Sequence, residues 1–148
     1  MKDKLLSKQG WVILLICIIS FFINNRVVVP DIMEARNMVT AREMVHDGNW
    51  LVPTMNGDLR LEKPPLPTWL TAVAEMISPD NLALQRAMAG FAAILLVAFF
   101  YLTAVQVMRN KRYAFISTIL LCTCYNIILM GRTASWDIYC QAFMMGAI

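Results

Sequence analysis

Glu62-Lys63-Pro64-Pro65, followed closely by Trp69, is the stretch of this chain best suited to chemistry. It sets a carboxylate and an ammonium on a rigid double proline, inside the long polar segment between two apolar runs. That combination suggests a reaction site at a membrane surface, where ionisable residues beside spans default to functional candidates. The plain alternative is a solvated charge pair beside a proline-rich turn. Lys63 precedes a proline and is therefore pushed towards extended backbone. Successive extended residues point to opposite faces, so Glu62 and Lys63 are not expected to pair with each other. Each is free to meet a separate partner.

Five more charged residues are candidates. Pro30-Asp31 opens a helical pattern that runs to about His46, where Asp47-Gly48-Asn49 closes it. Asp31 suits the N-cap, and Glu34 stands at the capping-box position. Arg36, Thr40 and Glu43 share a polar face of this helix, while Met38, Ala41 and Val45 lie opposite, with Glu34 among them. A carboxylate on an apolar face is a local inconsistency of the kind found at sites; the alternative is that Glu34 only caps the helix. Further on, Gly131-Arg132-Thr133-Ala134-Ser135-Trp136-Asp137 follows the third apolar run. Arg132 and Asp137 are candidates there, against the alternatives of snorkelling for Arg132 and a favourable first-turn charge for Asp137. Asn126 reads as an interhelical hydrogen-bonding residue, and His46 as a solvated helix-end residue.

The elements that must position these groups are mostly apolar. Of 148 residues, 59% are hydrophobic and 16% charged, with a mean hydropathy of +0.58. The fold class expected is an all-α integral membrane protein rather than a soluble domain. Spans are expected over about 11–29, 87–107 and 113–130, with a fourth starting at 136, each of the first three close to the roughly 20 residues that cross a bilayer. The outer loop then covers about 30–86. Within it, Trp50 to Thr54 and Leu59 to Glu62 can form a short hairpin around Asn56-Gly57, and residues 66–77 an interfacial helix. A helix ending mid-membrane leaves carbonyls unpaired, so the chain reads as the N-terminal part of a longer polytopic protein. The first run lacks a small-x-small cleavage site and reads as a retained signal-anchor.

Lys2, Lys4 and Lys8 precede the first run, and Arg109, Lys111 and Arg112 fill the gap between the second and third. By the positive-inside rule both segments are cytoplasmic and the 30–86 loop is outside. The net charge of +3 reflects these inner segments and gives no reason to propose nucleic-acid binding. Cys17, Cys122, Cys124 and Cys140 fall in or next to apolar runs and read as packing residues, with no disulfide framework and no metal spacing.

Ala41-Arg42-Glu43-Met44, Gly48-Asn49-Trp50 with Pro53, Asn56-Gly57, Glu62-Lys63-Pro64 and the later Arg132 and Asp137 form an ordered set. In that order they resemble the lipid-linked-sugar glycosyltransferases of the GT-C type, in the superfamily of the aminoarabinose transferases and protein mannosyltransferases. The resemblance covers nearly the whole chain and about the first quarter of a usual member. One position departs from it: Met33 stands where the family has the Asp of an Asp-Glu pair, while Glu34 and Arg36 match.

The resemblance implies a polytopic helical bundle in the bacterial inner membrane, its large first loop periplasmic. The implied reaction moves a sugar from a polyprenyl-phosphate donor to a lipid, glycan or protein acceptor. Lys63 suits the leaving phosphate, with Arg36 or Arg132 assisting. Glu34 or Asp31 would activate a hydroxyl acceptor, with Asp137 or Glu62 orienting; an anionic phosphate acceptor needs no base. No cofactor is fixed by the sequence, and a divalent metal ion remains open. The competing readings are a small non-catalytic membrane subunit, an inactive piece of such a transferase, and an amphipathic membrane-binding module.

Overall fold

The computed structural model describes residues 8–148; Lys2 and Lys4 lie outside the described residues. Seven helices and one small hairpin follow in the order α1 (Lys8–Phe22), α2 (Ile32–Asp47), β1 (Thr54–Met55), β2 (Asp58–Leu59), α3 (Pro65–Ile77), α4 (Leu82–Met108), α5 (Lys111–Cys122), α6 (Tyr125–Gly131) and α7 (Asp137–Gly146).

Among the described residues, α4 is long and apolar enough to cross a membrane by itself. Its 27 residues carry Ala89, Gly90, Ala92 and Ala93 on buried positions. Small residues let helix backbones approach closely, and α4 packs against α1, α3, α5, α6 and α7. The shared core contains Cys17, Phe21, Ala89, Ala93, Val97, Cys122 and Ile138. Gly131 is required by this packing: a Cβ there would lie 2.7 Å from Phe21 Cδ1 and 2.9 Å from Ala93 Cβ.

Two apolar runs differ from simple spans. The first helix ends at Phe22, after which Asn24 adopts a left-handed conformation, φ 57°. The chain therefore turns before the expected limit at 29. The third run is not one helix but two, α5 and α6, bent by 64°. Thr123 supplies the break: its hydroxyl donates back to the carbonyls of Ile119 and Leu120, and Cys124 follows in extended backbone. Asn126, now on the short α6, is exposed and makes no side-chain hydrogen bond among the described residues.

The polar segment forms a second layer at the N-terminal end of α4. Asp31 caps α2 by accepting from the Glu34 N–H at 2.7 Å, and Gly48 closes it in the left-handed region at φ 73°. The hairpin pairs Thr54 with Leu59 and Met55 with Asp58, shorter than the sequence suggested. Asn56 and Gly57 both take positive φ, as a type I′ turn demands. Glu43 holds the turn, accepting from the Thr54 hydroxyl at 2.7 Å and the Asn56 N–H at 2.5 Å. Pro65 starts α3, whose buried face carries Thr68, Thr71, Ala72 and Glu75. It packs on α2 through Ala41, Met44 and Ala72, with Trp50 and Trp69 alongside. Val73, Met76 and Ile77 remain exposed on the other side.

Candidate functional site

The inward face of α2 organises the site. Glu34 is fully buried, and it does not complete the capping box. Its carboxylate accepts two parallel hydrogen bonds from Arg86 at the start of α4, Nε to Oε1 and Nη2 to Oε2, each 2.7 Å. Oε1 also accepts the Ala134 N–H at 2.9 Å. Arg86 Nη1 donates to the carbonyls of Asn25 at 2.5 Å and Val28 at 2.9 Å. One buried, bidentate pair thus ties α2, α4, the chain after α1 and the loop before α7. Such pairs persist only when their hydrogen bonds are satisfied, and these are.

Asn37, one turn further along α2, completes the hold on that loop. Its Nδ2 donates to the Ala134 carbonyl at 2.7 Å and to the Thr71 hydroxyl at 3.1 Å, while its Oδ1 accepts from the Thr68 hydroxyl at 2.8 Å. Both polar groups of the Ala134 backbone are therefore gripped from α2.

Above this clasp the chain gathers cations. Arg60, just after β2, is buried and donates to the Arg36 carbonyl at 2.6 Å and the Thr40 hydroxyl at 2.7 Å. That contact explains why Thr40, on the face read as polar, is buried. Burial pulls the Arg60 guanidinium below its ordinary value; Glu62 nearby opposes that shift and Arg36 adds to it. The Arg60 guanidinium lies over the Trp136 ring at 5.3 Å from its centroid, and the Lys63 ammonium at 5.4 Å. Trp136 is 5% exposed. Asp137 follows it, exposed, as the first residue of α7.

Of the residues singled out from the sequence, Arg36 and Lys63 thus collect around Arg60 and Trp136, and Asp137 follows Trp136 along the chain. Glu62 is exposed beside them and, as expected, forms no ion pair with Lys63. Glu34 lies beneath, engaged as described. Arg132 is directed elsewhere: it donates to Asn25 Oδ1 at 3.2 Å and to the Ile23 carbonyl, so it fastens the end of α1. Asp31 remains exposed at the α2 cap. Cys17 and Cys122 sit with their sulfurs 3.8 Å apart in the core, as packing residues do, whereas Cys124 and Cys140 are exposed. No group of three or more His, Cys, Asp or Glu side chains among the described residues is placed to hold a metal ion.

Sequence reasoning missed Asn37, Arg60, Arg86 and the part played by Trp136. Arg86 carried a usable signal, since a lone charge at the start of an apolar helix asks for a partner. Asn37 and Arg60 carried none. Glu75 was missed as well: buried on α3, it accepts from the Asp80 N–H at 3.1 Å and from Gln85, with Arg42 at 3.7 Å, and so fastens the turn into α4.

A polar layer is thus clasped onto the end of apolar, closely packed helices, one of them long and apolar enough to cross a membrane. The fold matches the crystal structure of ArnT from Cupriavidus metallidurans bound to undecaprenyl phosphate, with a TM-score of 0.76 over 94% of this chain and 26% of that one, at 21% identity. The chain belongs to the dolichyl-phosphate-mannose-protein mannosyltransferase family, whose sequence pattern matches residues 9–148. The resemblance read from the loop motifs is thereby borne out. An undecaprenyl phosphate-alpha-4-amino-4-deoxy-L-arabinose arabinosyl transferase of Pseudomonas savastanoi pv. phaseolicola is 34% identical over 62% of this chain. One of the same name from Shewanella sediminis is 31% identical over 73% of it. The matches span 17% and 19% of those relatives' lengths.

Proposed function

We propose that the protein serves in the transfer of a sugar from a polyprenyl-phosphate donor to a lipid, glycan or protein acceptor on the outer face of a bacterial inner membrane. Family membership supports the reaction class, and the names of the relatives and the lipid bound to ArnT support the donor. The observation that carries the reading is the gathering of Arg36, Arg60 and Lys63 around Trp136, the residue before Asp137. Cations that form no ion pair among the described residues suit a phosphate, and charge-assisted bonds to phosphate oxygens stabilise the departing polyprenyl phosphate.

Roles follow from what each side chain has free. Lys63 binds the donor phosphate, with Arg36 assisting; no hydrogen bond or ion pair among the described residues engages Lys63. Arg132, whose donors go to the end of α1, is a brace. Glu34 has both oxygens committed to Arg86 and the Ala134 N–H, so it positions rather than accepts a proton. Asp137, exposed, is the carboxylate free to activate a hydroxyl acceptor, and Glu62 orients; with an anionic acceptor neither needs to act as base. Orientation is supported by charge: Arg109, Lys111 and Arg112 lie at the far end of α4, roughly 35 Å from Arg86 at 1.5 Å per residue.

The test is transfer of a radiolabelled sugar from a polyprenyl phosphate in membranes of cells expressing the gene. Lys63→Ala is expected to abolish it. Wild-type turnover by that variant overturns the donor-phosphate role.

A further inference from the structure

We infer that Trp136 is the positioning residue for Lys63: the indole face holds the ammonium in place while leaving its three N–H donors for a phosphate. The inference rests on the donor-phosphate reading of Lys63 and goes beyond it by naming what aims that side chain.

A lysine on an exposed stretch samples many rotamers, and something must restrict them for the charge to serve one site. A carboxylate partner would do so at the cost of cancelling the charge and occupying the donors. Glu62 is adjacent, yet it is not that partner. The group over which the Lys63 ammonium does lie is the Trp136 ring, 5.4 Å from its centroid. Attraction to the ring quadrupole leaves the positive charge intact.

The ring is well fixed for this purpose. Two residues earlier, the Ala134 backbone is held through both its N–H and its carbonyl. Arg60, pinned by the Arg36 carbonyl and the Thr40 hydroxyl, lies over the same ring at 5.3 Å. Trp136 Nε1 is buried and lacks a hydrogen-bond partner among the described residues. A buried indole N–H ordinarily finds an acceptor, so the orientation of this ring is not set by its N–H. What the orientation does provide is a π system over which two cations lie.

Two measurements test this on the protein in lipid nanodiscs. In the first, binding of undecaprenyl phosphate is titrated. Trp136→Leu is expected to raise the Kd by between about two- and thirty-fold, the range spanned by exposed to desolvated cation–π contacts, whereas Trp136→Phe, which keeps a π face, loses clearly less. In a Lys63→Ala background Trp136→Leu is expected to change nothing further. Equal losses for Phe and Leu, or a full loss from Trp136→Leu when Lys63 is already gone, overturn the proposal in favour of simple packing.

The second measurement needs no ligand. With the lysines carrying 13C-methyl groups, the Lys63 signal is expected to be displaced upfield by the indole ring current, and Trp136→Leu to remove that displacement. An undisplaced Lys63 signal in the wild type overturns the tether. Wild-type protein that fails to bind the lipid overturns the phosphate reading, while the spectrum still decides whether the indole holds the ammonium.

Discussion

Glu34→Gln is the substitution that best separates a brace from a base. In the native chain the Glu34 and Arg86 side chains are 0% and 1% exposed. The neutral amide leaves the Arg86 guanidinium buried without its counter-charge, and removing one partner of such a pair costs about 3–5 kcal/mol. For a chain of this size that loss lowers the melting temperature by roughly 6–20 °C. Arg86→Met is expected to cost as much, because it strands the Glu34 carboxylate and frees the Asn25 and Val28 carbonyls. The double variant carries neither charge, so it should be more stable than the sum of the two losses implies. Recovery stays partial, since methionine cannot replace the two bonds to those carbonyls. Thermal unfolding of the four proteins in one detergent measures the cycle. A loss below about 1 kcal/mol from Glu34→Gln, or simple additivity in the double variant, refutes the reasoning. A catalytic base would behave differently, since its amide variant would keep its stability and lose turnover.

Gly131→Ala must push Phe21 or Ala93 aside, because the new Cβ would come within 2.7 Å and 2.9 Å of them; a loss of about 1–3 kcal/mol is expected by thermal unfolding. The His46 Nδ1–H donates to the Asp47 carboxylate at 2.7 Å, and that bond, followed by the Asp47 charge, raises its pKa above the ordinary imidazole value. Because the folded pKa is the raised one, any stabilisation is fully present below the unfolded pKa and is lost as pH rises through the folded value. An NMR titration of this sole histidine should show a raised midpoint that Asp47→Asn returns to normal. A cysteine at Asp58, in a background lacking the native cysteines, should react with an impermeant maleimide on intact cells; labelling only after permeabilisation reverses the orientation.

The outline of the fold was legible because its signals are local. Asp31, Gly48 and Asn56-Gly57 each carry their own instruction for a cap or a turn, and each acts where it stands. The apolar runs announced helices, but the break at Thr123 depends on one hydroxyl choosing its own helix carbonyls over solvent or a neighbour. Glu34 announced itself by sitting on the wrong face, although its role did not follow. That role needed Arg86, 52 residues away, and the Ala134 N–H, 100 residues away. Neither distance is visible to a pattern of helical period. Arg60 was hidden for a related reason: just past a short hairpin strand it reads like any surface cation, and only tertiary packing brings Thr40 and Trp136 around it.

The grip on Ala134 is addressed to a peptide unit, not to a side chain. All the information for it is written on α2, in Glu34 and Asn37, and none in the loop being held. A loop fastened this way can exchange its side chains at 133, 135 or 137 and still return to the same place. It cannot gain or lose a residue, because one step of register would present the wrong backbone unit. Variation in side chain and constancy of placement are thus assigned to different segments of the chain.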